Sequence, residues 1–201
     1  MDVHWPEGAP ADLFITEELD TRSVGSPDFK RQARAIETLA MRMADDPGDT
    51  LPEFVDLAMK LTGAASAGLS LLDPSREEAV FEWCFLHGSL REFDGATTPR
   101  NYSPCGITLD WRQPVLSRRP ERAYSWIADA DIEVPEVLLV PLYDRAREPF
   151  GTLWVVADGE GRFTRDHARL LTDLALSIAG AARDWRGAIA AGSAASPASM
   201  A

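Results

Sequence analysis

Apolar residues first recur at helical spacing at Phe29, Ala33, Ile36, Leu39, Ala40 and Met43, which predicts a helix over 27–45 with Pro27 in its first turn. Asp46-Pro47-Gly48 breaks that pattern. A second stripe, formed by Leu51, Phe54, Val55, Ala58, Leu61 and Thr62, predicts a helix with Pro52 in its first turn and Gly63 at its end. The period then changes from that of a helix to that of a strand. Residues 67–72 form a short apolar run closed by Asp73-Pro74. Over 79–87 the chain alternates, with Phe81, Trp83 and Phe85 on one side and Val80, Glu82 and Cys84 on the other. Residues 89–104 read as loop, 105–111 as a short helix, 114–117 as a brief strand and 124–130 as a helical segment. Two continuous apolar runs, 137–142 and 151–157, are joined through 144–149 as a hairpin, and such runs suit strands buried on both faces. A last helix spans 165–185, with Thr164 as N-cap and an apolar stripe of Leu171, Leu174, Ala175, Ile178, Ala182 and Trp185.

Helices at both ends of the chain around one mostly antiparallel sheet describe an α+β layer architecture. The expected organisation is an irregular arm over 1–26, one domain with its flanking helices over 27–186, and a tail over 187–201. The tail is rich in Ala, Ser and Gly and needs no fixed structure.

Composition narrows the function. Hydrophobic residues make up 45% of the 201, enough for a packed core, and the formal charge is -12. A chain so acidic repels phosphate backbones and anionic lipid surfaces, which argues against nucleic-acid and membrane partners. No apolar run approaches a membrane span, the N-terminus lacks the basic and apolar regions of a secretory signal, and the two cysteines, Cys84 and Cys105, form no metal-binding spacing. A cytoplasmic protein is expected. Against this background residues 91–122 carry +2 while the rest carries -14, owing to Arg91, Arg100, Arg112, Arg118, Arg119 and Arg122.

Five segments together carry a family resemblance: SAGLSLLD (66–73), SPCGITLDWRQPVL (103–116), EVLLVPLYD (136–144), EPFGTLWVVAD (148–158) and FTRDHARLLTDLA (163–175). Their order and spacing over roughly 50–185 resemble the GAF domains of bacterial sensor proteins. TTPRNYSPCG (97–106) is similar to a subgroup at the input end of proteobacterial histidine kinases. The resemblance implies a GAF-like sheet with the N- and C-terminal helices on one face. An irregular cover of loops and short helices lies on the other face, with a ligand pocket beneath it. It also implies a small-molecule sensor in signal transduction rather than an enzyme. No phosphoacceptor helix, ATPase or cyclase segment follows the last helix, so the expectation is a domain that reports to a kinase or other partner, or through a homodimer.

Within that frame three sets of residues are candidates for ligand binding. Cys105 stands where a helix is expected to start, so the helix dipole and Arg100 would favour a reactive thiolate; an inert buried cysteine beside a close-packed Gly106 is the competing reading. Arg112, Arg118, Arg119 and Arg122 flank the segment that borders the pocket in the resembled fold, where they could hold an anionic ligand; a solvated arginine face is the alternative. The aromatics Phe81, Trp83 and Phe85, with Tyr102, Tyr124 and Trp126 in the cover, could line an apolar pocket or simply fill the core. Trp111 belongs to the same expected roof.

His4, His87 and His167 stand alone and read as structural or surface residues. No cofactor is specified. A bilin photoreceptor attached through Cys105 is an alternative, although Gly106 stands where a histidine usually accompanies the attachment cysteine. Thiol redox sensing through Cys105 is another. Free methionine-(R)-sulfoxide reductase activity is a weaker one, because 128–136 lacks the second cysteine that this chemistry needs.

Overall fold

The computed structural model describes residues 10–22, 29–43, 46–73 and 78–194. Two helices, α1 (Phe29–Met43) and α2 (Pro47–Thr62), lead into the strands β1 (Ser66–Asp73) and β2 (Val80–Gly88). A three-residue strand, β3 (Thr97–Pro99), precedes α3 (Pro104–Trp111) and β4 (Val115–Arg118). The short helix α4 (Ser125–Asp129), the hairpin of β5 (Glu136–Tyr143) and β6 (Pro149–Ala157), and the long helix α5 (Arg165–Ala194) complete the chain. The strands form one six-stranded sheet in the order β3-β2-β1-β6-β5-β4, antiparallel at every pairing.

Alternation in the central strands builds two cores. Leu138, Val140 and Leu142 of β5, with Leu153 and Val155 of β6, turn to one face and pack with Phe54 of α2 and Leu171, Leu174 and Ile178 of α5. Val137 and Leu139, with Trp154 and Val156, turn to the opposite face and pack with α3 and α4. The continuous apolar runs thus serve both layers at once, as expected of strands covered on both sides. Among the described residues no helix is long and apolar enough to cross a membrane.

Three differences from the sequence expectation have local causes. Asp46-Pro47-Gly48 starts α2 rather than merely ending α1. The Asp46 side chain accepts from the Asp49 amide at 3.2 Å, and Pro47 occupies the first turn, where its missing N–H costs nothing. Helix α5 runs on to Ala194 through the first half of the expected tail, because alanine is the strongest helix former. Residues 195–201 lie outside the described residues.

The arm read as irregular holds an ordered stretch over 10–22. Phe14 bridges to Ser117, the Ile15 amide donates to the Leu116 carbonyl at 2.9 Å, and the Arg118 amide donates to the Leu13 carbonyl at 2.9 Å. The arm therefore covers the free edge of β4, a place where an unpaired strand invites aggregation. Its next turn is tied down by Arg22, which pairs with Glu18 and with the fully buried Glu136, both at 2.8 Å. Glu136 also accepts from the amides of Gly161, Arg162 and Phe163 at 3.2, 3.0 and 3.0 Å. One carboxylate thus joins the arm, β5 and the loop before α5.

Candidate functional site

Between the sheet and the α3–α4 layer lies a cavity of about 50 Å³. Its floor is Trp83 of β2, Val137 and Leu139 of β5, and Trp154 and Val156 of β6. Pro104 and Cys105 at the start of α3 and Leu90 close its sides, and Pro120, Trp126, Ile127, Ile132 and Val134 form the cover. No charged side chain belongs to this wall. An apolar site of about 150 Å³ is needed to hold a benzene ring, and drug-sized pockets run to about 300 Å³ or more. A ring-sized occupant therefore requires the cover to lift.

The floor owes its shape to local sequence. Gly68 of β1 leaves room for the Trp154 indole, since a Cβ there would run into the ring. Trp154 then reaches across to donate from Nε1 to Ser70 Oγ at 2.9 Å. Trp83 stands between two other indoles, 5.5 Å from Trp154 and 5.8 Å from Trp126 between ring centres, in tilted and edge-on arrangements. The Trp126 indole donates to the Tyr102 carbonyl at 2.8 Å. Trp83 Nε1, by contrast, is buried without a partner, as is the hydroxyl of Tyr124 in the same core. Such buried donors each cost about 1–3 kcal/mol. Burial also pushes the Tyr124 hydroxyl well above the ordinary tyrosine range, with the nearby Cys105 and Tyr102 adding to the effect.

Tyr102, 37% exposed, fastens the cover from outside. Its hydroxyl donates to the Ala123 carbonyl at 2.6 Å and accepts from the Ser125 amide at 3.3 Å, and its ring meets Tyr124 edge-on at 5.2 Å.

Cys105 does stand in the first turn of α3, whose N-cap Ser103 accepts from the Gly106 amide at 3.2 Å. Of the two readings of Cys105, its surroundings favour the inert buried thiol. The thiol is buried between helix and sheet, burial pushes its pKa up, and hydrogen bonds from Ser70 and Thr152 only partly oppose that rise. Arg100 is turned away onto Asp110, 2.5 Å and 3.2 Å across a two-pronged pair. Gly106 is required because a Cβ would collide with the Arg100 carbonyl. Cys84 is also buried, with its thiol pushed up by burial, but it belongs to the helix-side core. The two thiols thus lie on opposite faces of the sheet, and a disulfide between them would require the sheet to open.

The arginines do not converge on the cavity. Arg112 caps α3 and reaches the β5–β6 turn, bonding the Arg147 carbonyl at 2.5 Å and Glu148 at 3.3 Å. Arg118 pairs with Glu18 at 3.0 Å and Glu160 at 3.4 Å, Arg119 with Glu160 at 2.8 Å, and Arg122 with Asp12 at 3.2 Å. Acids from the arm and from the loop before α5 neutralise the local positive excess along the β4 edge. These partners lie outside 91–122 along the chain, so the local charge of that stretch does not include them.

The aromatic set divides. Trp83 and Trp126 line the cavity, and Phe81 and Tyr124 pack in the same core. Phe85 does not share their face, which corrects the expected alternation. A bulge in β2, where Leu69 pairs with Cys84 after Ala67 pairs with His87, gives Phe85 a φ of 58° and turns it to the helix side. There its ring meets Trp185 of α5 in a tilted contact, 4.7 Å between ring centres. Trp111 meets Phe14 of the arm edge-on at 5.4 Å. Sequence reasoning missed Trp154, Val137 and Leu139 as wall residues, although period-two reading of β5 and β6 assigns all three to one face. It also missed Ile132 and Val134, which lie in a loop that carries no periodic signal. Among the described residues no group of three histidine, cysteine or acidic side chains could hold a metal ion.

A sequence model of the GAF domain matches residues 44–181. No curated protein matches the sequence. The solved structures that superpose include the GAF domain of a phosphoenolpyruvate-protein phosphotransferase from Coxiella burnetii, with a TM-score of 0.67 at 14% identity over 81% of this chain and 99% of that one. Free methionine-R-sulfoxide reductase from Neisseria meningitidis, solved with its substrate, gives 0.64 at 15% identity over 83% and 98%. A GAF domain assigned to a sensor histidine kinase of Pseudomonas syringae pv. tomato gives 0.55 at 16% identity over 82% and 94%. At such identities the likeness is one of fold.

Proposed function

The chain belongs to the GAF domain family, a family of small-molecule-binding sensory and regulatory domains, and on that premise we propose that it binds an organic ligand in the cavity beneath α4 and reports occupancy through its helical layer. The observation that carries this reading is the cavity itself. An uncharged wall, with an indole donor left unpaired, lies under a short cover that side-chain bonds hold shut. Most buried donors in native proteins have a partner, so an unpaired donor in the wall of a cavity supports a role in holding a ligand.

A ligand that lifts or reseats the cover acts on α3 and the floor strands β5 and β6, and the other faces of those strands contact α5. Helices α1 and α5 are the route outward, to a second copy of the chain or to a signalling partner such as a histidine kinase. Met41 and Leu176, each 68% exposed on these helices, are the apolar side chains available for that contact. Attachment of a bilin and redox sensing at Cys105 are both disfavoured by a thiol sealed between α3 and the sheet. Sulfoxide reduction is disfavoured by the separation of the two cysteines across the sheet.

The test is native mass spectrometry with an absorption spectrum, on protein purified from its own host, followed by thermal screening of a metabolite library. A retained or added small molecule should raise the melting temperature and change the fluorescence of the cavity tryptophans. A protein that emerges empty, and that no compound in the library stabilises, would refute the reading.

A further inference from the structure

We propose that the cavity selects a flat and mostly apolar molecule, not an anion, bearing one hydrogen-bond acceptor, which takes the unpaired indole N–H of Trp83. This deepens the ligand-binding reading above and rests on it.

Three tryptophans, Trp83, Trp126 and Trp154, surround the space. Two of their N–H groups are already used, Trp126 on the Tyr102 carbonyl and Trp154 on Ser70 Oγ. Only the Trp83 donor, between the other two rings, has no acceptor. Indole walls favour a flat ring by stacking and edge contacts.

An anion is excluded on two grounds. The wall presents no cation, and the arginines that could have supplied one pair with carboxylates elsewhere. An anionic group enclosed by this wall would lose its hydration without compensation. The net charge of -12 further disfavours the approach of an anion. A single neutral acceptor, such as a ketone carbonyl, meets the one unpaired indole donor of the wall.

The experiment uses three probes of similar size: acetophenone, isopropylbenzene, in which a methyl group replaces the carbonyl oxygen, and benzoate, the anion. Binding is followed by the indole N–H resonances of uniformly 15N-labelled protein, with assignment of the six tryptophans by single substitutions. Acetophenone should move the Trp83 indole proton downfield, and isopropylbenzene should not. In Trp83→Phe, acetophenone should bind about fivefold more weakly while isopropylbenzene stays within about twofold of wild type. Benzoate should bind at least about tenfold more weakly than acetophenone. Equal losses for both neutral probes in Trp83→Phe, with no downfield shift in the wild type, would make Trp83 a wall and nothing more, overturning the inference while leaving the ligand-binding reading intact. Benzoate binding as tightly as acetophenone would overturn the exclusion of an anion. Should Trp83→Phe fail to fold, the wild-type shift decides by itself. If no probe perturbs the resonances of Trp83, Trp126 or Trp154, the cavity does not open to a ring, and both readings fall.

Discussion

Removing one oxygen atom from Tyr102 should loosen the cavity cover without disturbing the sheet beneath it. In Tyr102→Phe the bonds to the Ala123 carbonyl and the Ser125 amide disappear, while the Trp126 indole keeps its bond to the main-chain carbonyl of residue 102. The edge-on contact with Tyr124 also survives, because it is made by the ring. A hydrogen bond contributes about 0.5–1.5 kcal/mol net, and these two are exposed enough to sit near the lower limit, so the cover should lose about 1 kcal/mol. That corresponds to roughly a fivefold rise in the fraction of time the cover is open. Native-state amide exchange reads this directly, since local openings are visible there separately from global unfolding. The amides of Ile127 and Ile132, bonded to Tyr124 and Ile127 carbonyls, should lose about fivefold in protection, and amides of β1 and β6 should not change. Tyr102→Ala should lose more, because the ring contact goes too. Unchanged exchange at Ile127 and Ile132 would refute the clasp. So would a uniform loss across cover and sheet, which would mark Tyr102 as a contributor to global stability instead.

Other substitutions test separate parts of the structure. Glu136→Gln should destabilise the domain by about 3 kcal/mol in urea titration, since it leaves Arg22 without its buried charge partner and puts an amide among three backbone donors; a loss below about 0.5 kcal/mol would contradict the role assigned to this carboxylate. His167 accepts the Thr164 amide at Nδ1, at 3.2 Å, and burial holds its pKa below the usual value. Its contribution should therefore be complete above the unfolded value of about 6.5 and decline as pH falls from there toward the lower folded value; His167→Asn should flatten the melting temperature over that window, and an unchanged slope would exclude His167 as its source. Alkylation of Cys84 and Cys105 in the native protein should proceed only as fast as the fold opens, and a Cys105 that labels at the rate of a free thiol would contradict its burial. Leu176→Asp should shift sedimentation toward a smaller species if a second copy packs on α5; a wild type that is strictly monomeric at tens of micromolar would remove that route for the signal.

How much of this was legible in the sequence depends on the range over which each feature is encoded. The helices and the β5–β6 hairpin follow from periodicity and turn residues within a dozen positions, and they fall where the pattern put them, apart from α1, whose expected ends at 27–28 and 44–45 lie outside the described residues, α2, which starts at Pro47, and α5, which runs on to Ala194. The floor of the cavity is nearly as local. Trp154 lies on the same face as Val156 by simple alternation, and Gly68 marks the gap its ring fills. The β2 bulge is the first failure, because nothing in VFEWCFLH announces that Cys84 and Phe85 will both turn to the helix side. Phe85 was grouped with Phe81 and Trp83 for that reason alone.

The arginines fail for a deeper cause. Arg118 finds Glu18 a hundred residues away and Arg122 finds Asp12 at a similar remove, so a charge sum over 91–122 counts cations whose partners are brought in by the fold. Once those pairs are included, the same residues that argued for an anionic ligand argue against one, since the cations lie on the β4 edge and the cavity wall carries none. The electrostatic character of the site was thus written in the arm, a segment whose proline, glycine and acidic residues gave no sign that it would pair with the sheet. Among the described residues of the arm, Leu13, Phe14, Ile15 and Leu19, all buried, distinguish it from a solvated leader. A cluster of four such residues inside a polar N-terminal stretch is a reason to dock the stretch before summing its charges.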